Sequence, residues 1–344
     1  MAGGDRLSRL SDDLLRCILR FAPAKEGAST RALARRWRSL RLPSVAVNLD
    51  SRSYDHLDDH DKRDAVARDA SNAFAAADRR GLPVTRFTFW YVEGDQDDPR
   101  RRLSSSSSYE DDDDIRDAKD RMSRELRTLL YCPSSCHLEE LRLGLFFGRP
   151  QGLYSFSIRS LSSSPALRVL HVSKCLDWDW DRLCPSRPPG VTPPFPRLLE
   201  LRLHQCSVSL SVLQGIIDAA PLLAALQLDG VDFQLPSLPS ILLRVPTVKA
   251  IVMANMHCWG QQGHNTMELD APLLRRFAYR GPVRSLSLKP PPPDMTRVDL
   301  SFQVPPARVD TDDTMCPLFW KFLRNFCGAN TISLSFQLSH NACM

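Results

Sequence analysis

Apolar and polar positions alternate along this chain in two rhythms, one helical at the front and one repeating for most of the remainder. At the front, Leu14, Leu15, Ile18, Leu19 and Phe21 share one helical face, and Pro23 ends the run. Ser11 stands where an N-cap belongs, with Asp12 and Asp13 in the first turn, where carboxylates suit the positive end of the helix dipole. A second helix over about residues 29–41 carries Leu33, Trp37 and Leu40 on a single stripe. A unit of this size buries too little surface to be stable alone, so its remaining apolar face predicts a partner.

The second rhythm follows a connecting amphipathic helix from Asp61 to Arg80, marked by Ala65, Val66, Ala70, Phe74 and Ala77 and stopped at Gly81. Val84, Phe87 and Phe89 then introduce a spacing, apolar-x-x-apolar-x-apolar, that keeps returning. It recurs as Leu138, Leu141, Leu143; Leu167, Leu170, Val172; Leu198, Leu201, Leu203; Leu223, Leu226, Leu228; and Val248, Ile251, Met253. Looser copies are Leu274, Phe277, Tyr279; Val283, Leu286, Leu288; Met295, Val298, Leu300; and Ala329, Ile332, Leu334. Each copy predicts a short strand with its alternate residues pointing inward, closed by a helical or irregular return, and no unit can bury its face without neighbours. Leu210–Ala219 and Pro317–Phe326 are predicted return helices, and Ile241–Leu243 a shorter one. Thr331–Leu338 is the last predicted strand, with no polar capping element after it.

The predicted fold class is α/β: a small helical module at residues 1–50, a connecting helix at 51–80, and a solenoid of parallel strands with helical or irregular returns at 81–340. About residues 95–114, with Ser104–Ser108 and Asp111–Asp114, are predicted to be a disordered acidic loop. Pro185–Pro196 and Pro290–Pro293 are read as extended surface breaks between repeats.

These residues carry a family resemblance. Leu7-Ser8-x-Leu10-x-Asp12-x-Leu14-Leu15-x-x-Ile18-Leu19-x-Phe21-x-Pro23-x-Lys25, followed by Leu33-x-x-Arg36-Trp37-Arg38, resembles the F-box of plant proteins over about residues 5–50. Ser11 stands where that family usually has Pro, Ala34 where it has Ser, and Arg41 where it often has Trp. The strand series resembles the leucine-rich repeats of plant F-box proteins over most of residues 81–340. First positions 138, 167, 198, 223 and 248 lie 29, 31, 25 and 25 residues apart, at or slightly beyond the roughly 20–29 of such repeats. Cys175 and Cys206 fall in the slot such repeats fill with a buried Cys or Asn at the turn out of the strand. The resemblance implies docking of a Skp-type adaptor, and through it a cullin, by Leu10, Leu14, Leu15, Ile18, Leu19 and Trp37.

Composition narrows the chemistry. Hydrophobic content of 43% and charged content of 25% are ordinary for a globular chain, and the net charge of +5 gives no general argument for nucleic acid. The N-terminus lacks an apolar signal region, and the longest apolar stretch, Val212–Leu228, is broken by Gln214, Asp218 and Pro221, so no membrane span is predicted. Ten cysteines in such a chain read as buried small hydrophobes with reduced thiols, which predicts a cytoplasmic and/or nuclear location. Cys132-Pro133-Ser134-Ser135-Cys136-His137 has no second cysteine pair, and no metal or cofactor is predicted. With no phosphate-cradling Gly-x-x-x-x-Gly-Lys loop and no Gly-x-Ser-x-Gly elbow, no catalytic residues are assigned and the chain reads as a non-enzyme.

The functional expectation is a non-catalytic substrate-recognition subunit of a cullin-based ubiquitin ligase, its helical module docking the adaptor and its repeats binding a protein target. Outward strand positions Arg142, His171, Arg202 and Gln227, with Arg168 beside them, predict a modest positive stripe. Trp178 and Trp180 are candidate anchors at its edge, which points to an acidic or mixed-charge target. One alternative is nucleic-acid binding by Arg31, Arg35, Arg36, Arg38 and Arg41 of helix 29–41, although Leu33, Trp37 and Leu40 make those arginines the solvated face of a packed helix. A second alternative is a repeat scaffold whose F-box is non-functional, given Ser11 and Arg41.

Overall fold

A computed structural model describes residues 10–21, 36, 40, 44–92, 110–146, 154–156, 161, 164–178, 194–234, 240–256, 266–304 and 312–338. The chain divides into two compact units, one of Met1–Ser155 with Ser160–Leu167 and one of Phe156–Arg159 with Arg168–Met344.

In the first unit, helix α1 (Asp12–Phe21) starts as its sequence dictates: Ser11 Oγ accepts the Leu14 N–H at 3.3 Å, and Asp12 and Asp13 fill the first turn. Strand β1 (Val45–Asp50) packs against α1 and leads through a short 3-10 turn, Ser51–Tyr54, into helix α2 (Asp59–Arg79). Helix α2 buries Lys62, Val66, Ala70, Phe74 and Ala77 on one stripe. It ends at Gly81, whose φ of +61° closes the helix with bonds from Gly81 N–H to Asp78 and from Leu82 N–H to Ala77. Strand β2 (Val84–Val92) lies parallel to β1, helix α3 (Glu110–Leu130) crosses back, and strand β3 (Glu140–Phe146) lies parallel to β2. Val47, Phe87 and Leu141 face each other across the three strands, as do Leu49, Phe89 and Leu143, and all six are buried.

Two features of this unit depart from the sequence reading. The strand series begins at β1, so α2 is the return of a first repeat rather than a connector. The position three before Val47 is Ser44 instead of an apolar residue, which hid this copy of the pattern. Glu110–Asp114, read as part of a disordered loop, form the first turn of α3, where acidic residues favour the helix dipole. The remainder of that loop, residues 95–109, lies outside the described residues, as do residues 185–193 of the proline-rich stretch.

After a short strand β4 (Tyr154–Phe156), the second unit is built from strands β5 (Val169–Ser173), β6 (Cys175–Trp178), β7 (Glu200–His204) and β8 (Ser207–Ser209), then helix α4 (Leu210–Asp218). Strands β9 (Ala225–Asp229), β10 (Asp232–Gln234), β11 (Ser240–Arg244), β12 (Ala250–Ala254), β13 (Thr266–Asp270), β14 (Arg276–Gly281), β15 (Leu286–Leu288) and β16 (Arg297–Val304) follow. Helix α5 (Asp312–Arg324) and strand β17 (Thr331–Leu338) complete it. Strands β5, β7, β9, β12, β14, β16 and β17 lie side by side in that order, all parallel.

Their register turns the sequence repeat into two apolar rows. One row runs Leu170, Leu201, Leu226, Ile251, Phe277, Val298, Ile332; the other runs Val172, Leu203, Leu228, Met253, Tyr279, Leu300, Leu334. All are buried except on β17, the edge, where Ile332, Leu334 and Phe336 are 41%, 45% and 61% exposed. Strands β11, β13 and β15 form a second parallel sheet. Ile241–Leu243 are therefore strand rather than helix, and Leu286 and Leu288 belong to this second sheet rather than to the main series. Phe322 of helix α5 and Phe326 in the turn after it pack against Phe277, Tyr279 and Phe302, with ring centroids of Phe277 and Phe326 5.0 Å apart.

Backbone bonds join neighbouring repeats at both ends of these strands. At the start, the carbonyl of Arg168 accepts from Leu199 and Glu200, that of Leu199 from Ala224 and Ala225, and that of Ala224 from Lys249 and Ala250. Lys249 and Arg275 continue the series, accepting from Arg275 and Arg276 and from Thr296 and Arg297. At the far end, Lys174, Gln205, Gly230 and Asn255 all have positive φ, and each donates its N–H to the carbonyl of the next strand's last residue but for β14, where Arg280 accepts. Cys175 and Cys206 are buried beside these turns, as their slot in the repeat predicts, and Cys206 Sγ donates to the Val172 carbonyl at 3.4 Å.

Candidate protein-interaction surfaces

Surfaces of interest lie in both units. On α1, the 3.6-residue period separates the apolar residues by direction. Leu15 is 0% exposed, whereas Leu14 and Ile18, one turn apart, are 53% and 41% exposed. Leu10 and Leu19 are half-buried. Of the proposed adaptor contacts, Leu14 and Ile18 therefore share an outward face, and Leu15 serves the unit's own interior. Trp37 lies outside the described residues, as do Arg31, Arg35, Arg38 and Arg41.

Arg36 holds the start of this helix. Its Nε and Nη2 donate to Asp12 Oδ1 at 3.0 and 2.7 Å, and Nη2 also donates to the Leu10 carbonyl at 2.6 Å. The arginine of the basic cluster that the structure describes is thus engaged with the chain's own carboxylate and helix start.

On the repeat sheets, strand alternation sets the outward residues. His171, Arg202 and Gln227 form one cross-strand row, half-buried, and Arg142 stands exposed on β3 of the first unit. The expected positive stripe is corrected by their partners. Arg142 Nε donates to Glu140 Oε1 at 2.7 Å, Glu140 also pairs with Arg86, and Arg202 pairs with Glu200. Arg142 and Arg202 are each met by a carboxylate two residues before on the same strand, because i and i+2 share a face of a strand. His171 Nε2 lies 3.3 Å from Ser173 Oγ. Trp178 ends β6, where its backbone alone is described, and Trp180 lies outside the described residues.

Sequence reasoning missed an aromatic surface on β2 and β3. The indole of Trp90 lies over Gly144, so close that a Cβ there would meet Trp90 Cε3 at 2.6 Å, and its ring meets that of Phe146 at a 45° tilt with a centroid distance of 4.8 Å. The signal was available, since an isolated glycine within a strand marks a close approach.

Electrostatics elsewhere are structural. Burial alone would raise the Asp50 carboxyl, but hydrogen bonds and charge from Arg52, with Lys62, together hold it below its usual value. Cys132 and His137 flank and end a 3-10 turn, Pro133–His137. Among the described residues no group of three His, Cys, Asp or Glu side chains could hold a metal ion, and no helix is long and apolar enough to cross a membrane.

Comparison with known proteins agrees with the repeat architecture. A family model described as FBD-associated F-box protein At5g56370, LRR repeats, matches residues 126–289, from α3 to β15. An F-box/LRR-repeat protein of Arabidopsis thaliana, At5g41840, is 47% identical over 53 residues, 15% of this chain and 10% of that protein. The chain thus matches about a tenth of the length of that curated relative.

Proposed function

We propose that this chain, which resembles plant F-box proteins with leucine-rich repeats, is a non-catalytic substrate-recognition subunit of a cullin-based ubiquitin ligase. In this reading the outward face of α1 docks a Skp-type adaptor and the repeat sheet holds a protein target. Ubiquitin transfer is then accelerated by proximity, with the chemistry supplied by other subunits. A cytoplasmic and/or nuclear location belongs to the same reading. The observation that carries it is the split of α1: Leu15 is packed inward while Leu14 and Ile18 are left in water on one face. Apolar side chains aligned on one helix face are the form taken by groove-docking helices.

Affinity purification from plant cells tests the reading. A Skp-type adaptor and a cullin are expected to co-purify with the wild-type chain and to be lost from Leu14→Asp with Ile18→Asp, while the melting temperature holds. Capture should survive high salt, because apolar burial is little screened. Equal recovery of the adaptor by the double variant overturns the proposal. The nucleic-acid alternative has the opposite salt response, a steep loss of binding as phosphate contacts are screened. The engagement of Arg36 with Asp12 weighs against it.

A further inference from the structure

On the outward face of the second unit's main sheet, arginines are neutralised within their own strand: Arg202 by Glu200 on β7 and Arg297 by Asp299 on β16. Strand β14 departs from this. Its outward residues are Arg276, Ala278 and Arg280, both arginines are exposed, and among the described residues no carboxylate pairs with either. Arg280 donates instead to Gln337 Oε1 at 3.3 Å. Arg297 stands opposite Arg276 on the next strand, and Lys249 and Arg275 lie exposed at the strand starts.

Beside this border the sheet face is unusually low. Strand β12 presents Ala250, Val252 and Ala254, β14 presents Ala278 between its two arginines, and β9 presents Ala225, Gln227 and Asp229. Arg276 is opposite Ala250, Ala278 opposite Val252, and Arg280 opposite Ala254. The outcome is a low apolar strip along β12, extended by Ala225 and Ala278, with Arg276 and Arg280 on one side and Gln227 and Asp229 on the other; Asp299, opposite Ala278, is held by Arg297.

We propose that this strip and its arginine border bind an acidic polypeptide segment of the target, an inference that rests on the target-binding reading above. Arginine forks match carboxylates in a bidentate geometry, and among the described residues neither has a carboxylate partner to displace. Small side chains let the backbone and aliphatic stems of a bound segment lie close to the sheet, burying methyl surface that water now covers. The strip carries no aromatic ring, so it offers bases no stacking platform, which favours an acidic protein over a single-stranded nucleic acid.

The test uses the full chain and a fluorescent peptide probe of mixed glutamate and valine, read by anisotropy. Arg276→Glu with Arg280→Glu should weaken binding by about tenfold or more, Arg276→Gln with Arg280→Gln by less, and Arg202→Glu should leave it unchanged. Circular dichroism of the glutamine pair guards against a folding effect. The proposal is overturned if the wild-type chain ignores the peptide, if the charge-reversed pair binds it equally, or if an oligonucleotide of equal charge binds more tightly than the peptide. Adaptor capture measured on the same variants keeps the two readings apart. Peptide binding without adaptor capture removes the ligase reading alone, and adaptor capture without peptide binding removes this surface alone.

Discussion

Gly230 and Gln205 occupy the same turn in consecutive repeats, and they touch: a Cβ on Gly230 would lie 3.1 Å from Gln205 Cγ and 3.5 Å from its Cα. Both are left-handed, with φ of +61° and +50°, and each sends its N–H to the neighbouring repeat. Gly230→Ala should therefore cost about 1–2 kcal/mol, from the left-handed penalty together with the crowding. A fall in the urea midpoint reports it. Gln205→Gly in the same background should recover part of the loss, and an unchanged midpoint for Gly230→Ala would mean the turn is slack.

Burial pushes the Cys206 thiol up from 9.0 to about 12. The unfolded chain gives up this proton near its ordinary value, while the folded chain keeps it. Stability is thus intact below pH 9.0 and declines between there and about 12, by roughly 1.4 kcal/mol per pH unit. Denaturant melts at mildly and strongly alkaline pH should show a larger drop for the wild type than for Cys206→Ala. Parallel curves would show that Cys206 ionises as freely folded as unfolded.

The two sides of α1 should respond differently to truncation. Leu15→Ala removes a fully buried side chain and should cost about 2–5 kcal/mol. Leu14→Ala, on the exposed side, should stay within about 0.5 kcal/mol. Thermal melts of the two variants decide it, and equal losses would mean that both leucines are core.

Strand β17 has no charged residue, and its Ile332, Leu334 and Phe336 side chains are about half exposed. Exposed apolar edges of this kind template association. Leu334→Lys should lower light scattering on warming while leaving stability within about 0.5 kcal/mol, because the side chain is already half in water. A loss several times larger would place Leu334 in a packed interior.

The two inward rows of the main sheet were legible because Leu170, Leu201 and their counterparts recur at a spacing that only a strand with one buried face satisfies. The first repeat was hidden by Ser44, and β11 by a short apolar run, Ile241–Leu243, whose period fits helix and strand equally. The partners of the outward arginines were written in the sequence as Glu140-x-Arg142 and Glu200-x-Arg202, yet counting basic residues without their same-face neighbours left those carboxylates out of the stripe. The split of α1 into Leu15 inward and Leu14 with Ile18 outward was not legible. The helical period marks a common apolar arc, and what lies against α1 decides which part of that arc is buried.

The two sets of backbone bonds between repeats run in opposite senses. At strand starts the later repeat donates to a carbonyl already in place, as Ala224 and Ala225 do to Leu199. At the turns the earlier repeat donates forward, as Gln205 does to Asp229. A chain leaving the ribosome can fasten each new strand at once, but its latest turn amide waits for residues not yet made. Each repeat's turn amide is therefore satisfied only once the following strand is in place.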